Sequence, residues 1–81
     1  MKDRSDSVDF VTRLFEQRDK DDLQWGGIEH DNSHDQYDWL MFVQRQIDMA
    51  EYTGPIEFRS RMVKIAALAL AAYNTSKRVN L

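Results

Sequence analysis

The chain has 81 residues, of which 42% are hydrophobic and 31% are charged, and it contains no cysteine. A chain of this length forms one domain, and the missing thiols exclude disulfide bonds, thiolate metal sites and a cysteine nucleophile. The formal net charge of -3 argues against non-specific binding to duplex DNA, which needs a basic surface.

We expect a single helical domain over residues 1–81, with residues 1–6 disordered. That first segment lacks the apolar core of a signal peptide. The longest apolar run, residues 65–73, is too short to cross a bilayer, which takes about 20 residues. These patterns predict a cytoplasmic protein that does not enter a membrane.

The first predicted helix covers residues 8–22, after serine and aspartate residues that suit a helix cap. Its apolar residues recur at helical spacing: Val8, Val11 and Phe15. Gly26 and Gly27 follow, and paired glycines permit backbone angles that other residues avoid. We therefore expect a loop over residues 24–33.

The second predicted helix covers residues 34–51. Ser33 and Gln36 match a capping box at its start, and apolar residues recur along it at intervals of three and four. Gly54 is suited to end this helix, and Pro55 is suited to the first turn of the next. The short connection predicts an antiparallel helix hairpin.

The third predicted helix covers residues 55–76 and includes the apolar run. Because that run is apolar on every side of the helix, one neighbouring helix cannot cover it. We predict an all-α homodimer in which two hairpins form a four-helix core. The predicted interface residues are Ile65, Leu68, Ala69, Leu70, Ala72 and Tyr73.

Two histidines, His30 and His34, are four residues apart and could share a helix face that holds a metal ion. If Ser33 caps the helix, however, His30 belongs to the loop, so we favour capping and loop hydrogen bonds over a metal site. Ser33, His30 and Asp31 could also be read as a catalytic triad. Adjacency in sequence does not establish triad geometry, and we assign no catalytic residue.

Aromatic residues at helical spacing are predicted to belong to the core. Trp25 and Tyr37 lie next to the predicted loop instead, so we keep both as candidate ligand contacts. Aromatic side chains can also stack on nucleic-acid bases. For the aromatic residues other than Trp25 and Tyr37, however, helical spacing favours a place in the core.

Four short segments of the chain form one pattern: Phe15-Glu16-Gln17-Arg18-Asp19, Gln24-Trp25-Gly26-Gly27, Asp38-Trp39-Leu40 and Val63-Lys64-Ile65-Ala66-Ala67-Leu68-Ala69. The second segment is followed closely by His30. This pattern resembles that of short phage and prophage proteins related to the MazG-like nucleoside triphosphate pyrophosphohydrolases. It covers residues 14–78. The resemblance implies an all-α oligomer, located in the host cytoplasm if the chain is encoded by a phage.

Active members of that family look like enzymes that hold Mg²⁺ with a Glu-Glu-x-x-Glu motif on one helix and Glu-x-x-Asp on the next. At the matching positions this chain has Gln44, Arg45 and Asp48, and then Arg61 and Lys64. Of these residues only Asp48 could ligate a cation, and the nearby positive charges would repel one. The resemblance therefore implies a degenerate member without magnesium-dependent hydrolysis.

The favoured hypothesis is a non-catalytic, phage-type helical oligomer that binds a host or phage protein and needs no cofactor. An alternative is a nucleotide-binding or phosphate-binding protein. Its candidate contacts are Arg45, Arg61, Lys64, Trp25 and Tyr37. Against this alternative, these basic residues could simply pair with acidic neighbours at the surface.

A third hypothesis is an active magnesium-dependent hydrolase. It requires Asp48, Glu51 and Glu57 to supply the metal ligands in place of the family's motifs. Outside this hypothesis the weak candidate metal ligands are Asp48, His30 and His34, and none is favoured.

Overall fold

The computed structural model describes residues 5–79. Its helices are α1 (Ser5–Trp25), α2 (Gly27–Asn32), α3 (Gln36–Ala50) and α4 (Pro55–Val79). The predicted all-α class is confirmed, and the described residues contain no strand. The predicted count of three helices is wrong, because the chain forms four over this range. No helix among them is long and apolar enough to cross a membrane.

Helix α1 is longer than predicted at both ends. It already includes Ser5 and Asp6, which we had expected to be disordered, whereas residues 1–4 lie outside the described residues. At its other end it continues to Trp25, so the acidic turn near Asp22 does not stop it. A helix dipole effect of a few tenths to about 1 kcal/mol is too small to end a helix that has tertiary partners.

The predicted loop over residues 24–33 is wrong, since most of it forms the short helix α2. Gly26 has φ 101° and Gly27 has φ 66°, both in the left-handed region that glycine tolerates. The glycine pair therefore turns the chain sharply between two helices. A glycine signal in the sequence marks such a turn but does not give its length.

The capping box of α3 lies two residues later than predicted. The Asp35 carboxylate accepts a hydrogen bond of 2.9 Å from the Asp38 backbone N–H. The Asp38 carboxylate in turn accepts one of 3.0 Å from the Asp35 backbone N–H. Ser33 instead donates its hydroxyl to the His30 carbonyl. The prediction from Ser33 and Gln36 was wrong because an equally good pair of capping residues followed directly.

Helix α4 is the element around which the others pack, and it begins at Pro55 as predicted. The helices α1, α2 and α3 all pack against it, whereas the backbones of α1 and α3 do not approach each other within residues 5–79. The inner face of α4, defined by Ala67, Ala71 and Thr75, is buried. These residues are four apart, so their small side chains form one stripe that allows close helix packing.

The apolar core of the described chain is small. Its buried apolar residues are Trp39, Ala50, Ala67 and Ala71. Many larger apolar side chains remain exposed, among them Phe15, Leu40 and Tyr73. Most of the bulky apolar surface therefore lies outside the core of the single chain.

Candidate functional site

A cavity of about 290 Å³ lies against the inner side of α4, and all four helices contribute to its wall. Its aromatic lining residues are Trp25, His30, His34, Trp39 and Phe42. Its charged lining residues are Arg18, Asp21, Asp31, Arg45 and Lys64. The volume is at the lower limit of the roughly 300 to 1,000 Å³ found for small-molecule pockets.

The charged half of the cavity centres on Asp21, a carboxylate that is only 6% exposed. Lys64 of α4 donates a hydrogen bond of 2.7 Å to its Oδ1 atom, and Gln17 donates one of 3.0 Å to the same atom. The other oxygen, Oδ2, accepts no hydrogen bond within the described residues and lies 3.9 Å from the Arg18 Nη1 atom. A buried carboxylate needs such compensation, because charge is costly to remove from water.

Arg18 joins α1 to α2 through a second set of ion pairs. Its Nη2 atom donates to Asp31 at 3.0 Å and to Asp22 at 3.1 Å. Asp31 is buried, whereas Asp22 is exposed. Arginine suits this position because its planar group has several N–H donors in fixed directions. The Arg18 side chain thus holds the short helix α2 against α1.

The aromatic half of the cavity centres on the two histidines. The Nε2 atoms of His30 and His34 are 3.0 Å apart, so one ring donates a hydrogen bond to the other. The His34 ring meets Trp39 and Phe42 edge-to-face, with centroids 5.3 and 4.9 Å away. Trp25 stacks on His30 with centroids 5.9 Å apart. These contacts fix both imidazoles in place.

The turn at Gly26 and the start of α3 place these two histidines at the cavity wall. A Cβ atom at Gly26 would lie 3.7 Å from the His30 Cβ atom, so the turn brings α2 close to the end of α1. His34 precedes the capping box, and its Nδ1 atom lies 3.7 Å from the Asp38 carboxylate. We expected His30 in a loop and His34 at a helix start, on no shared helix face. The two rings meet nevertheless, because a residue just outside a helix can fold back onto its neighbour.

The structure brings together three of the five predicted phosphate contacts, since Trp25, Arg45 and Lys64 line the cavity. Tyr37 is 77% exposed and does not line this cavity. Arg61 does not line it either, and its guanidinium donates to Gln46 at 3.0 Å and to Glu57 at 3.3 Å. Arg61 thus pairs with a nearby acid at the surface, which is the arrangement that the sequence analysis weighed against phosphate binding.

Sequence reasoning missed Arg18, Asp21 and Asp31 as cavity residues. For Asp21 the signal was the acidic end of α1, which opposes the helix dipole and so required an explanation. Asp21 meets Lys64, which is 43 residues away along the chain. No spacing rule could have predicted that contact.

The predicted metal ligands do not form a cluster in the part of the chain that the structure describes. No group of three or more His, Asp or Glu side chains is placed there to hold a metal ion. The Asp48 carboxylate accepts a hydrogen bond of 2.9 Å from Gln44. The two histidines provide two imidazole nitrogens, while structural zinc sites use four ligands.

The cavity contains three cationic side chains, but they differ in availability. Lys64 and Arg18 are partly buried and already paired with aspartates. Arg45 is exposed and forms no ion pair with any residue in the range 5–79. The cavity can therefore offer one cation and several aromatic faces to a ligand.

No protein-family model, curated protein or solved structure shows a significant match to this chain. Its function is therefore inferred from its own cavity and surfaces.

Proposed function

We propose that the protein is a non-catalytic helical oligomer that acts by binding another protein. In this proposal α3 and α4 form an antiparallel hairpin, and two copies pair through the outer faces of these helices to make a homodimer with a four-helix core. The proposal rests chiefly on one observation, the exposure of bulky apolar side chains on both helices.

The exposed apolar residues on α3 and α4 lie at spacings that suit helix pairing. Leu40 is 57% exposed and Ile47, seven residues later, is also exposed on α3. On α4, Tyr73 is 63% exposed, and Ala69 beside it is exposed too. Exposed apolar side chains that share one face of a helix suit an interface with another chain. We call these four residues the outer face.

The predicted interface residues fall into two groups. Ala69 and Tyr73 belong to the outer face, and Ile65, Leu70 and Ala72 are half-buried beside it. Leu68 lines the cavity on the inner side. We therefore keep the first five residues in the proposed interface and leave Leu68 out of it.

The ion pairs that the basic residues already form favour protein binding over phosphate binding. Arg61 and Lys64 would have to release Glu57 and Asp21 before they could bind a phosphate group. Breaking a buried pair leaves an uncompensated charge, which costs about 3 to 5 kcal/mol. The Lys64 pair is the buried one of the two.

Sedimentation equilibrium tests the dimer. The wild type should sediment as a dimer, whereas Leu40→Glu and Tyr73→Glu should shift it toward monomer, because each places a charge inside the apolar contact. Tyr52→Glu is the matched control, since Tyr52 is 88% exposed and lies outside the outer face. A wild-type protein that remains monomeric at every concentration would overturn the dimer.

Capture from host extract tests the second half of the proposal. The immobilised wild-type dimer should retain a defined protein in the presence of EDTA, and excess nucleotide should not release it. Retention that depends on added nucleotide, or turnover of a nucleotide, would contradict a non-catalytic protein-binding role.

A second candidate function is binding of a nucleotide or phosphate compound. One specific observation favours it, namely that Trp25, Arg45 and Lys64 line the same cavity. Aromatic faces and arginine side chains suit bases and phosphate groups respectively. Calorimetry with a nucleotide panel in EDTA tests this candidate. Binding that Arg45→Glu abolishes and Arg61→Glu does not would favour it over protein binding.

The magnesium-dependent hydrolase remains as a third candidate with less support. Of its three required ligands, Glu57 is paired with Arg61, and Asp48 is hydrogen-bonded to Gln44. Pyrophosphate release from nucleoside triphosphates with Mg²⁺ tests it directly. Release that is lost in Asp48→Asn would replace the main proposal.

A further inference from the structure

We infer that copies of this chain also associate head to tail, with the outer stripe of α1 in one copy seated in the groove between α1 and α4 of the next. This contact goes beyond the proposed function, because it uses neither the outer face of α3 and α4 nor the cavity. Its evidence is a groove, an exposed helical stripe and matching charges at one end of each.

The groove has a volume of about 490 Å³ and lies between the N-terminal halves of α1 and α4. Its apolar lining residues are Phe10, Ile56, Phe58, Met62 and Val63. Ile56 is 79% exposed, so the groove is open to a partner. A groove of this kind between two helices suits the apolar face of a third helix.

The stripe on α1 consists of Val8, Val11 and Phe15, at positions i, i+3 and i+7. All three side chains are exposed, and Phe15 is 55% exposed. This spacing places them on one face of the helix, which is the arrangement by which helices insert into apolar grooves. The described chain provides no partner for this face.

Charge distinguishes the two ends of the stripe and of the groove. The stripe continues at helical spacing to Asp19, an exposed acid. The α1 wall of the groove begins at Asp9, which is paired with Arg13, and ends at Lys20, which pairs with no acid within residues 5–79. Glu16 and Arg59 also line the groove. A helix lying in the groove parallel to α1 brings its Asp19 toward Lys20 of the neighbouring copy. The complementary charges therefore favour a second copy, in this direction, as the occupant.

The stripe and the groove lie on opposite sides of α1. At about 3.6 residues per turn, Phe15 of the stripe and Gln17 of the groove wall are separated by about 160° around the helix axis. One copy can therefore fill a neighbour's groove while its own groove receives another copy. Such heterologous contacts produce either a closed ring or an open filament.

Sedimentation velocity in a Leu40→Glu background tests this contact separately from the dimer. The Leu40→Glu protein itself should still form assemblies whose size increases with protein concentration. Phe15→Glu removes the stripe and Ile56→Glu blocks the groove, and each should raise the dissociation constant at least about tenfold. Because both residues are more than half exposed, the fold should be unaffected, which circular dichroism can verify.

Mixing the two variants gives the decisive result. The Phe15→Glu protein retains a groove and the Ile56→Glu protein retains a stripe, so together they should form a one-to-one complex that cannot grow further. Tyr52→Glu in the same background should assemble like the background itself. A monomeric background protein would overturn the inference, whether or not the wild type dimerises. A mixture that stays monomeric would overturn it too, and the groove would then be open to a helix of another protein.

Discussion

The two sides of α4 depart from the usual distribution of side chains in different ways. On the inner side, charged residues of other helices are buried, with Asp21 held by Lys64 at 2.7 Å. On the outer side, apolar residues such as Leu40 of the neighbouring helix and Tyr73 are exposed. Single folded domains normally place apolar residues inside and charges outside. The inner side thus combines close packing of small apolar residues with buried ion pairs, whereas the outer side exposes apolar residues that contact another chain in the proposed dimer.

The difference also separates two kinds of energetic effect. Substitutions on the inner side should change the free energy of unfolding of the single chain. Substitutions on the outer face should leave that free energy nearly unchanged and alter association instead. Measuring both quantities for each variant therefore distinguishes the two sides.

Asp21→Ala should have the largest effect on the inner side. It leaves Lys64 and the partly buried Arg18 without their shared carboxylate, and breaking a buried pair costs about 3 to 5 kcal/mol. Urea unfolding monitored by circular dichroism measures this loss. Asp19→Ala on the same helix is the control and should change the free energy of unfolding by less than about 0.5 kcal/mol, because Asp19 is exposed.

Ala67→Leu should have the next largest effect. Ala67 is 0% exposed at the centre of the inner face, so a larger side chain has no room without a shift of the surrounding helices. Overpacking of this kind costs about 1 to 3 kcal/mol. Helix propensity does not explain such a loss, since leucine and alanine are both strong helix formers. An unchanged unfolding midpoint would show that the inner face is not tightly packed.

Gly26→Ala tests the turn that brings α2 to the inner side. At φ 101° a Cβ atom is strained, and left-handed angles cost other residues about 1 to 2 kcal/mol. Gly54→Ala is the matched control, because no atom lies within 4 Å of a Cβ placed there. If both variants unfold at the same urea concentration, the turn does not require glycine.

Ala69→Leu should have the smallest effect on folding, although it adds the same atoms as Ala67→Leu. Ala69 is exposed on the outer face, so the free energy of unfolding of the monomer should change by less than about 0.5 kcal/mol. Sedimentation equilibrium should show changed dimerisation instead. A destabilisation equal to that of Ala67→Leu would remove the distinction between the two sides.

Much of the fold could be predicted from local signals. The all-α class, the start of α4 at Pro55 and the turn at Gly26 followed from helical spacing and from glycine and proline chemistry. The position of the α3 cap was off by two residues, because several good capping residues follow one another there. Helix α2 was missed because six residues are too few to produce a periodic pattern.

The candidate site could be predicted only in part. Trp25, Arg45 and Lys64 were selected for their chemistry and do line one cavity, whereas Arg61 and Tyr37 do not. Side-chain chemistry shows what a residue can bind but not which way its side chain points in the fold. Whether each predicted contact lines the cavity therefore depended on how the helices pack.

The sequence by itself determined three of the four helices and their ends to within a few residues, because these properties depend on residues within one or two turns. Only the tertiary structure decided that Asp21 meets Lys64, that His30 meets His34, and that Leu40 and Tyr73 remain exposed. These outcomes depend on how α1, α2 and α3 pack around α4. An apolar residue at helical spacing can face a neighbouring helix or a second chain with the same local pattern.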